Sequence, residues 1–236
     1  MIYNNKFVIL AVSLLAIVAC ERTWYTTSYI NGYFAIDNMS ITTNEIDCEG
    51  VAYNELALNV SQYHCLCSVE DSDQELFLHY SKLHNDTDYK GHYILDADWS
   101  SFSGEDISAV SIVCKDDWDE GHTAGSSLAD ITTFVALSLY PFIQNGYIGY
   151  QYGPTDDFPL MKALYPIMEQ WGERDDYPVY KKVSEIKKQD LSLILRNTDD
   201  YIHLFLPKRQ SASKCTVEIT IKDTAGKTFV LNADVI

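Results

Sequence analysis

The sequence predicts a mainly β protein, an antiparallel β-sandwich with one or two short helices inserted near residues 158–171. Three observations lead there. Apolar and polar residues alternate with period two in several stretches, as on strands that bury one face. Clusters of turn-forming residues separate these stretches at short spacing. No long helical segment intervenes between them, which argues against parallel βαβ units and for packed antiparallel sheets. An apolar fraction of 47% belongs to a chain that buries a core, so disorder is excluded for most of its length.

Residues 33–43, rich in β-branched and aromatic types, open the sheet, and Asp47-Cys48-Glu49-Gly50 forms a turn. Leu56, Leu58 and Val60 alternate with Ala57 and Asn59, the pattern of a half-buried strand that runs on to residue 69. The acidic stretch 70–73 breaks it, and 75–80 (ELFLHY) reads as the next strand. Residues 85–91 form a turn, 93–95 a short strand, and 96–106 a loop. Ile107, Val110, Ile112 and Cys114 lead a strong strand, followed by an acidic loop over 116–125.

Residues 128–139 are apolar and β-branched, with Ile131, Thr133, Val135, Leu137 and Leu139 on one side, until Pro141 ends the run. The segment 146–158 is turn-rich and aromatic. Residues 159–171 are helical, with Asp156 or Asp157 as cap, Pro159 in the first turn and Pro166 kinking or splitting the helix. Residues 184–189 form a helical turn, and 191–195 and 201–206 form strands, the second stopped by Pro207. In 215–235, Val217, Ile219 and Ile221 alternate with polar residues and a Gly-containing turn at 223–226 joins two strands into a hairpin. The body is one domain over 33–236, immunoglobulin-like or related, with two subdomains as the alternative division.

The N-terminal stretch says where such a domain works. Lys6 precedes an apolar run from residue 7 to 18, interrupted by Ser13 and closed by Ala19-Cys20. The run is too short for a stable membrane span, which needs about 20 residues, and has the flanks of a cleavable export signal. Its ending, Ile17-Val18-Ala19-Cys20, resembles the lipobox of bacterial lipoproteins. That resemblance implies removal of residues 1–19, acylation of Cys20 and a membrane partner held through the lipid. Two or three acyl chains, at about 0.8 kcal/mol per buried CH2, make such an anchor firm. An ordinary secretory signal that happens to end in Cys is the alternative. Residues 20–32, polar with Tyr25 and Tyr29, are read as a tether. Glu21 follows the Cys where an Asp would suggest inner-membrane retention, so the expected site is the periplasmic face of the outer membrane, with surface display as the other option.

The formal net charge of −17 repels phosphate backbones and excludes nucleic acid as an expected partner. It also offers anionic lipid no polybasic attraction. Cys48, Cys65, Cys67, Cys114 and Cys215 remain after Cys20, an odd set that allows at most two bridges and leaves their connectivity open. On a strand, Cys65 and Cys67 would share one face.

The segment SSLADITTFVALSLYPFIQNGY, the later SEIKKQDLSLIL, and the ending HLFLPKRQ followed by CTVEITIKDTAGKTFVLNADVI carry a further likeness. With the lipobox and the scattered Cys, they resemble a family of uncharacterised Bacteroides-group lipoproteins. The resemblance covers the signal and roughly the last half of the chain, with 155–176 as an insertion. It implies an envelope lipoprotein and carries over no catalytic residue.

Chemistry is sought in four places. Asp86-x-Asp88-x-Lys90-Gly91, with Asp96 and Asp98 beyond, has part of a calcium loop, but Lys90 takes a ligand place and Ala97 replaces the closing Glu. Asp116, Asp117, Asp119, Glu120 and His122 are the densest acidic cluster, a carboxylate set that glycoside hydrolysis or a metal would use. His64, His79, His84, His92 and His203 show no metal-ligand spacing, and no GxSxG, phosphate loop or dinucleotide fingerprint is present. Hence no catalytic residue, metal or cofactor is assigned. Tyr147, Tyr150 and Tyr152, with Trp171, give rigid contact area with a polar edge and are the binding candidates. The expected function is a non-catalytic binding or scaffold role towards an envelope protein or glycan. A glycan-acting hydrolase and a calcium-stabilised adhesin are the alternatives.

Overall fold

The computed structural model describes residues 24–25, 27–69, 72–90, 92–93, 102–154, 156–196, 201–209 and 213–236. The expected signal peptide, Cys20, Asp96 and Asp98 lie outside them. The described residues are mainly β with three short helices and several antiparallel sheets, consistent with a sandwich. In order the strands are β1 (Trp24–Tyr25), β2 (Gly32–Cys48), β3 (Val51–Ser68), β4 (His92–Tyr93), β5 (Phe102–Ser103), β6 (Ile107–Cys114) and β7 (Thr133–Ser138). Then come β8 (Tyr150–Gln151), β9 (Glu173–Arg174), β10 (Tyr177–Lys182), β11 (Ile202–Pro207), β12 (Cys215–Asp223) and β13 (Thr228–Val235). Helix α1 is Gln74–Leu83, α2 is Tyr140–Gln144 and α3 is Pro159–Leu164.

A six-stranded sheet in the order β10-β7-β11-β3-β2-β5 faces a three-stranded sheet in the order β13-β12-β6. The two long strands β2 and β3 form a hairpin whose register runs from Cys48↔Val51 to Gly32↔Ser68. Its two-residue turn places Glu49 (φ 54°) and Gly50 (φ 80°) both left-handed, the type I′ geometry that matches strand twist. The expected terminal hairpin β12–β13 is present, with Val217 opposite Ala233 and Ile219 opposite Leu231.

The main core lies between the two sheets. Phe34, Leu56, Leu58, Phe134, Ala136, Leu204 and Leu206 meet Ile112, Cys114, Val217, Ile219, Ile221 and Phe229. The opposite face of the large sheet is also covered. Val135, Leu137 and Phe205 pack against Tyr152, Leu160, Met161 and Met168, which belong to the segment between β7 and β10. The centre of the large sheet is thus sandwiched twice, and every residue of β7 is buried. That corrects the half-buried reading of the strand around Leu56: residues 54–58 are buried on both faces. A third cluster closes one end, where Tyr33, Phe77, Tyr80, Phe102, Leu139, Phe142 and Leu193 meet.

Other expectations are corrected. The stretch 75–80 is helical, not a strand. Asp73 caps α1 by accepting Leu76 N–H at 3.3 Å, and Phe77, Tyr80 and Ser81 line its buried face. The stretch 191–195 contributes a single bridge, Ser138–Ile194. Leu191 instead ends a 3-10 turn (Lys188–Leu191) and Leu193 is left-handed at φ 48°. Strand β7 starts at Thr133, because 128–132 turns first, with Thr132 N–H and Oγ1 both donating to Leu128 O. Pro166 does split the helical region, leaving α3 and a 3-10 turn at Met168–Gln170. Neither Asp156 nor Asp157 caps α3, whose N-cap is Phe158. Asp156 instead accepts from Tyr150 OH and Gly153 N–H.

The N-terminal tether is shorter than expected, since Ser28 and Ile30 are buried. Cys65 and Cys67 do not share a face. A bulge pairs Tyr33 with Cys67 and Phe34 with Cys65, leaving Cys65 exposed and Cys67 buried. Cys48, Cys114 and Cys215 are buried free thiols, and burial pushes the Cys48 and Cys215 thiols up. Among the described residues, no helix is long and apolar enough to cross a membrane.

Candidate functional site

Strands β7 and β10 are antiparallel neighbours, Ser138 opposite Tyr177. A hairpin turn of two to five residues would join them. The chain instead makes an excursion over 139–176 that carries α2, β8, α3, a 3-10 turn and β9. All four aromatic candidates lie on it. The fold divides them into two clusters.

Tyr147 belongs to the first. It follows Gly146, which is left-handed, and is itself at φ 64°. The bend turns its ring back onto Phe142 (centroids 5.6 Å apart) and Tyr89 (5.1 Å). Tyr29 completes the group, 4.8 Å from Phe142 and 5.1 Å from Tyr89. Behind the rings sits Asp86, fully buried. It accepts Tyr29 N–H (2.7 Å), Ile30 N–H (2.8 Å), Ser28 OH (3.1 Å) and Tyr147 OH (3.0 Å). Burial raises the Asp86 carboxyl, partly offset by these bonds. Burial and the nearby Asp86 charge push Tyr147 up to about 12. An open cleft of about 600 Å³ is lined by Asp88, Tyr89, Lys90, Gly146 and Tyr147. Tyr29 and Tyr89 gave no sign in the sequence, because one stood in a polar stretch and the other in a turn.

Tyr150, Tyr152 and Trp171 form the second cluster. Tyr150 and Tyr152 meet edge to face at 4.7 Å, and Tyr152 meets Trp171 at 5.0 Å. Tyr152 is buried, which removes it as a direct contact and makes it the floor under its half-exposed neighbours. Arg174 places its guanidinium 4.6 Å from the Trp171 ring centre, held there by a fork to Asp176 (2.6 and 2.9 Å). Tyr165 stands 5.3 Å from Trp171, and Ile167, between them in sequence, is 60% exposed.

The acidic loop closes on itself. Asp116 accepts Thr216 N–H, and Asp117 accepts Ala124 N–H. Asp119 accepts Gly121 and His122 N–H and holds the His122 ring at 2.8 Å. The His122 ring also meets Asp130 at 3.2 Å. Asp119 and then Asp130 raise the His122 pKa despite its partial burial. Asp117 and Asp119 thus hold the backbone of the loop, and Asp116 ties it to β12. In the calcium-like stretch, the Asp86 oxygens are occupied by donors while Asp88 is exposed. Among the described residues, no group of three or more His, Cys, Asp or Glu is arranged to hold a metal ion.

His84, His203 and His64 are held by neighbours in the structure. His84 is buried against the Tyr33 ring, with Nε2 3.1 Å from Gly104 O. His203 pairs with Glu55 at 2.7 Å in the sheet. His64 meets Asp37 on the surface. Compared with protein-family models, curated proteins and solved structures, the chain matches none.

Proposed function

We propose that this chain is a lipid-anchored protein of a bacterial cell envelope, held through Cys20 on the periplasmic face of the outer membrane, and that its role is non-catalytic binding of another envelope protein. The observation that carries the binding role is the 139–176 excursion. It stands where a tight turn would connect β7 to β10, and it is ordered by packing against Val135, Leu137 and Phe205 of the large sheet. Long connections with their own structure are most often functional. Its outer side gathers Tyr165, Ile167, Trp171 and Arg174. Trp, Tyr and Arg are the types that dominate protein interfaces, and here Tyr152 and the Arg174–Asp176 fork fix their rotamers in advance.

A photo-reactive phenylalanine at position 167 tests this in intact cells. Irradiation is expected to give one protein adduct, lost when Trp171→Ala is added at a temperature below the melting transition of that variant. No protein adduct, or one indifferent to Trp171, overturns the reading.

A further inference from the structure

The first aromatic cluster sits where the chain leaves the folded body towards Cys20. Trp24–Tyr25 are laddered to His92–Tyr93, and Tyr89 N–H donates to Thr27 O at 3.0 Å. Between Cys20 and β1 stand Glu21, Arg22 and Thr23 alone. Four steps of fully extended chain reach at most about 14 Å. An acylated Cys20 therefore keeps this end of the body against the bilayer surface, a leash much shorter than residues 20–32 suggest.

The surface at that end suits the contact. Leu78, which shares a cleft with Thr27 and Ser28, is 49% exposed, and Leu83 on the same helix is 52% exposed. Ile148, directly after Tyr147, is 64% exposed. Tyr29, Tyr89 and Tyr147 are half-exposed. Tyrosine rings favour the level of lipid headgroups, with an apolar body on one side and a polar tip on the other. Two of these hydroxyls already have partners inside the protein: Tyr147 donates to Asp86, and Tyr29 donates to Asp175. Laying their rings against lipid leaves neither hydroxyl stranded in an apolar medium. Lys82 and Lys90 are exposed here, but with a net charge of −17 the attraction to the bilayer must be apolar.

We propose that this end of the molecule, with Leu78, Leu83, Ile148 and the Tyr29–Tyr89–Tyr147 group, is a bilayer-docking surface that orients the anchored protein. Its partner is the lipid of the membrane that holds Cys20, so it rests on the anchor reading above. The second cluster, around Trp171, is left for the protein partner.

The test uses the full mature protein, purified from its own envelope and placed in vesicles of phosphatidylethanolamine and phosphatidylglycerol. A photo-reactive phenylalanine is introduced at position 78, 148 or 167 in separate variants, each matched to the parent in melting temperature. Lipid adducts are expected at 78 and 148 at severalfold the yield at 167, and unchanged by added salt. Equal yields at the three positions, or adducts at 167 alone, overturn the docking surface. Intact mass separates the two readings. An acylated protein without adducts at 78 and 148 refutes the docking surface and leaves the anchor standing. A mature chain without acyl groups on Cys20 refutes both.

Discussion

Glu55 and His203 are 5% and 3% exposed and 2.7 Å apart, on neighbouring strands of the large sheet. Burial pushes the Glu55 carboxyl up, but the bonds from His203 and from Asn44 outweigh it and hold the net value below the ordinary range. A carboxyl depressed by folding stabilises the protein above its unfolded pKa, about 4.3, and that contribution is lost as pH falls through the folded value. His203→Ala removes one partner and leaves the buried carboxylate with its Asn44 bond, at a cost of about 1–3 kcal/mol near neutral pH. Without His203, burial dominates and the carboxyl takes up a proton more readily. The deficit of the variant is therefore expected to shrink as pH drops towards 5, the reverse of the parent's trend. Denaturant melts of both proteins across that range check the sign. Gly104 is fixed as glycine by its neighbours. A Cβ there would stand 2.7 Å from the buried Tyr80 ring, and its carbonyl already receives His84 Nε2. Gly104→Ala is expected to cost about 1–3 kcal/mol through displacement of that ring, seen as a lowered melting temperature.

Elements were legible where local pattern and tertiary need agree, as in β6, β12 and β13, whose apolar residues alternate and whose one face meets the core. They were misread where a short apolar run had two meanings. ELFLHY alternates well enough for a strand, yet Asp73 caps it and Phe77, Tyr80 and Ser81 recur at helical spacing, so packing under β3 decided for the helix. The run 191–195 is apolar because it is buried, and its pairing with β7 stops at one bridge: Leu195 N–H donates to Leu137 O at 2.8 Å beside Ile194, but Leu193 N–H goes to the Asp106 carboxylate at 2.9 Å. Strand β10 (YPVYKK) passed unnoticed because Pro178 and the lysines hide its pairing with β7. The aromatic residues of the excursion were found by type, but their division into two clusters depends on contacts with residues 29, 89 and 174 that spacing does not encode. The β2–β3 turn allows an element-scale test. Glu49 adopts a left-handed conformation that costs an L-residue about 1–2 kcal/mol, and Asn tolerates it better. Glu49→Asn is expected to stabilise the protein by about 0.5–1 kcal/mol, or roughly 1–4 °C in melting temperature. A lower melting temperature would show that Glu49 has compensating contacts.

At the scale of the whole molecule, the sandwich class follows from alternation, but the third layer does not. A large sheet covered on both faces needs continuous apolar strands at its centre, and β7 and β11 are that: TFVALS and IHLFLP, almost wholly buried. Their second face is covered by α3 and its neighbours, so the segment 155–176 that resembles an insertion in the sequence is structural as well as exposed. The consequence is testable by replacing residues 139–176 with Asn-Gly, a two-residue turn that suits the antiparallel β7–β10 pair closing at Ser138 and Tyr177. If the excursion were an appendage, the remaining sandwich would fold and melt cooperatively. The packing requires the opposite. Val135, Leu137 and Phe205 would lose their cover, and each fully buried side chain of this kind contributes about 1.5–3 kcal/mol. Three of them together approach the whole stability of an ordinary domain, about 5–15 kcal/mol. The shortened chain is therefore expected to aggregate or to bind a hydrophobic dye without a cooperative melt. Polar replacements on the bared face, Val135→Thr and Leu137→Thr with Phe205→Thr, are expected to recover solubility. If the deletion alone gives a soluble, cooperatively melting protein, the large sheet does not depend on the excursion for cover, and the excursion is a binding appendage alone.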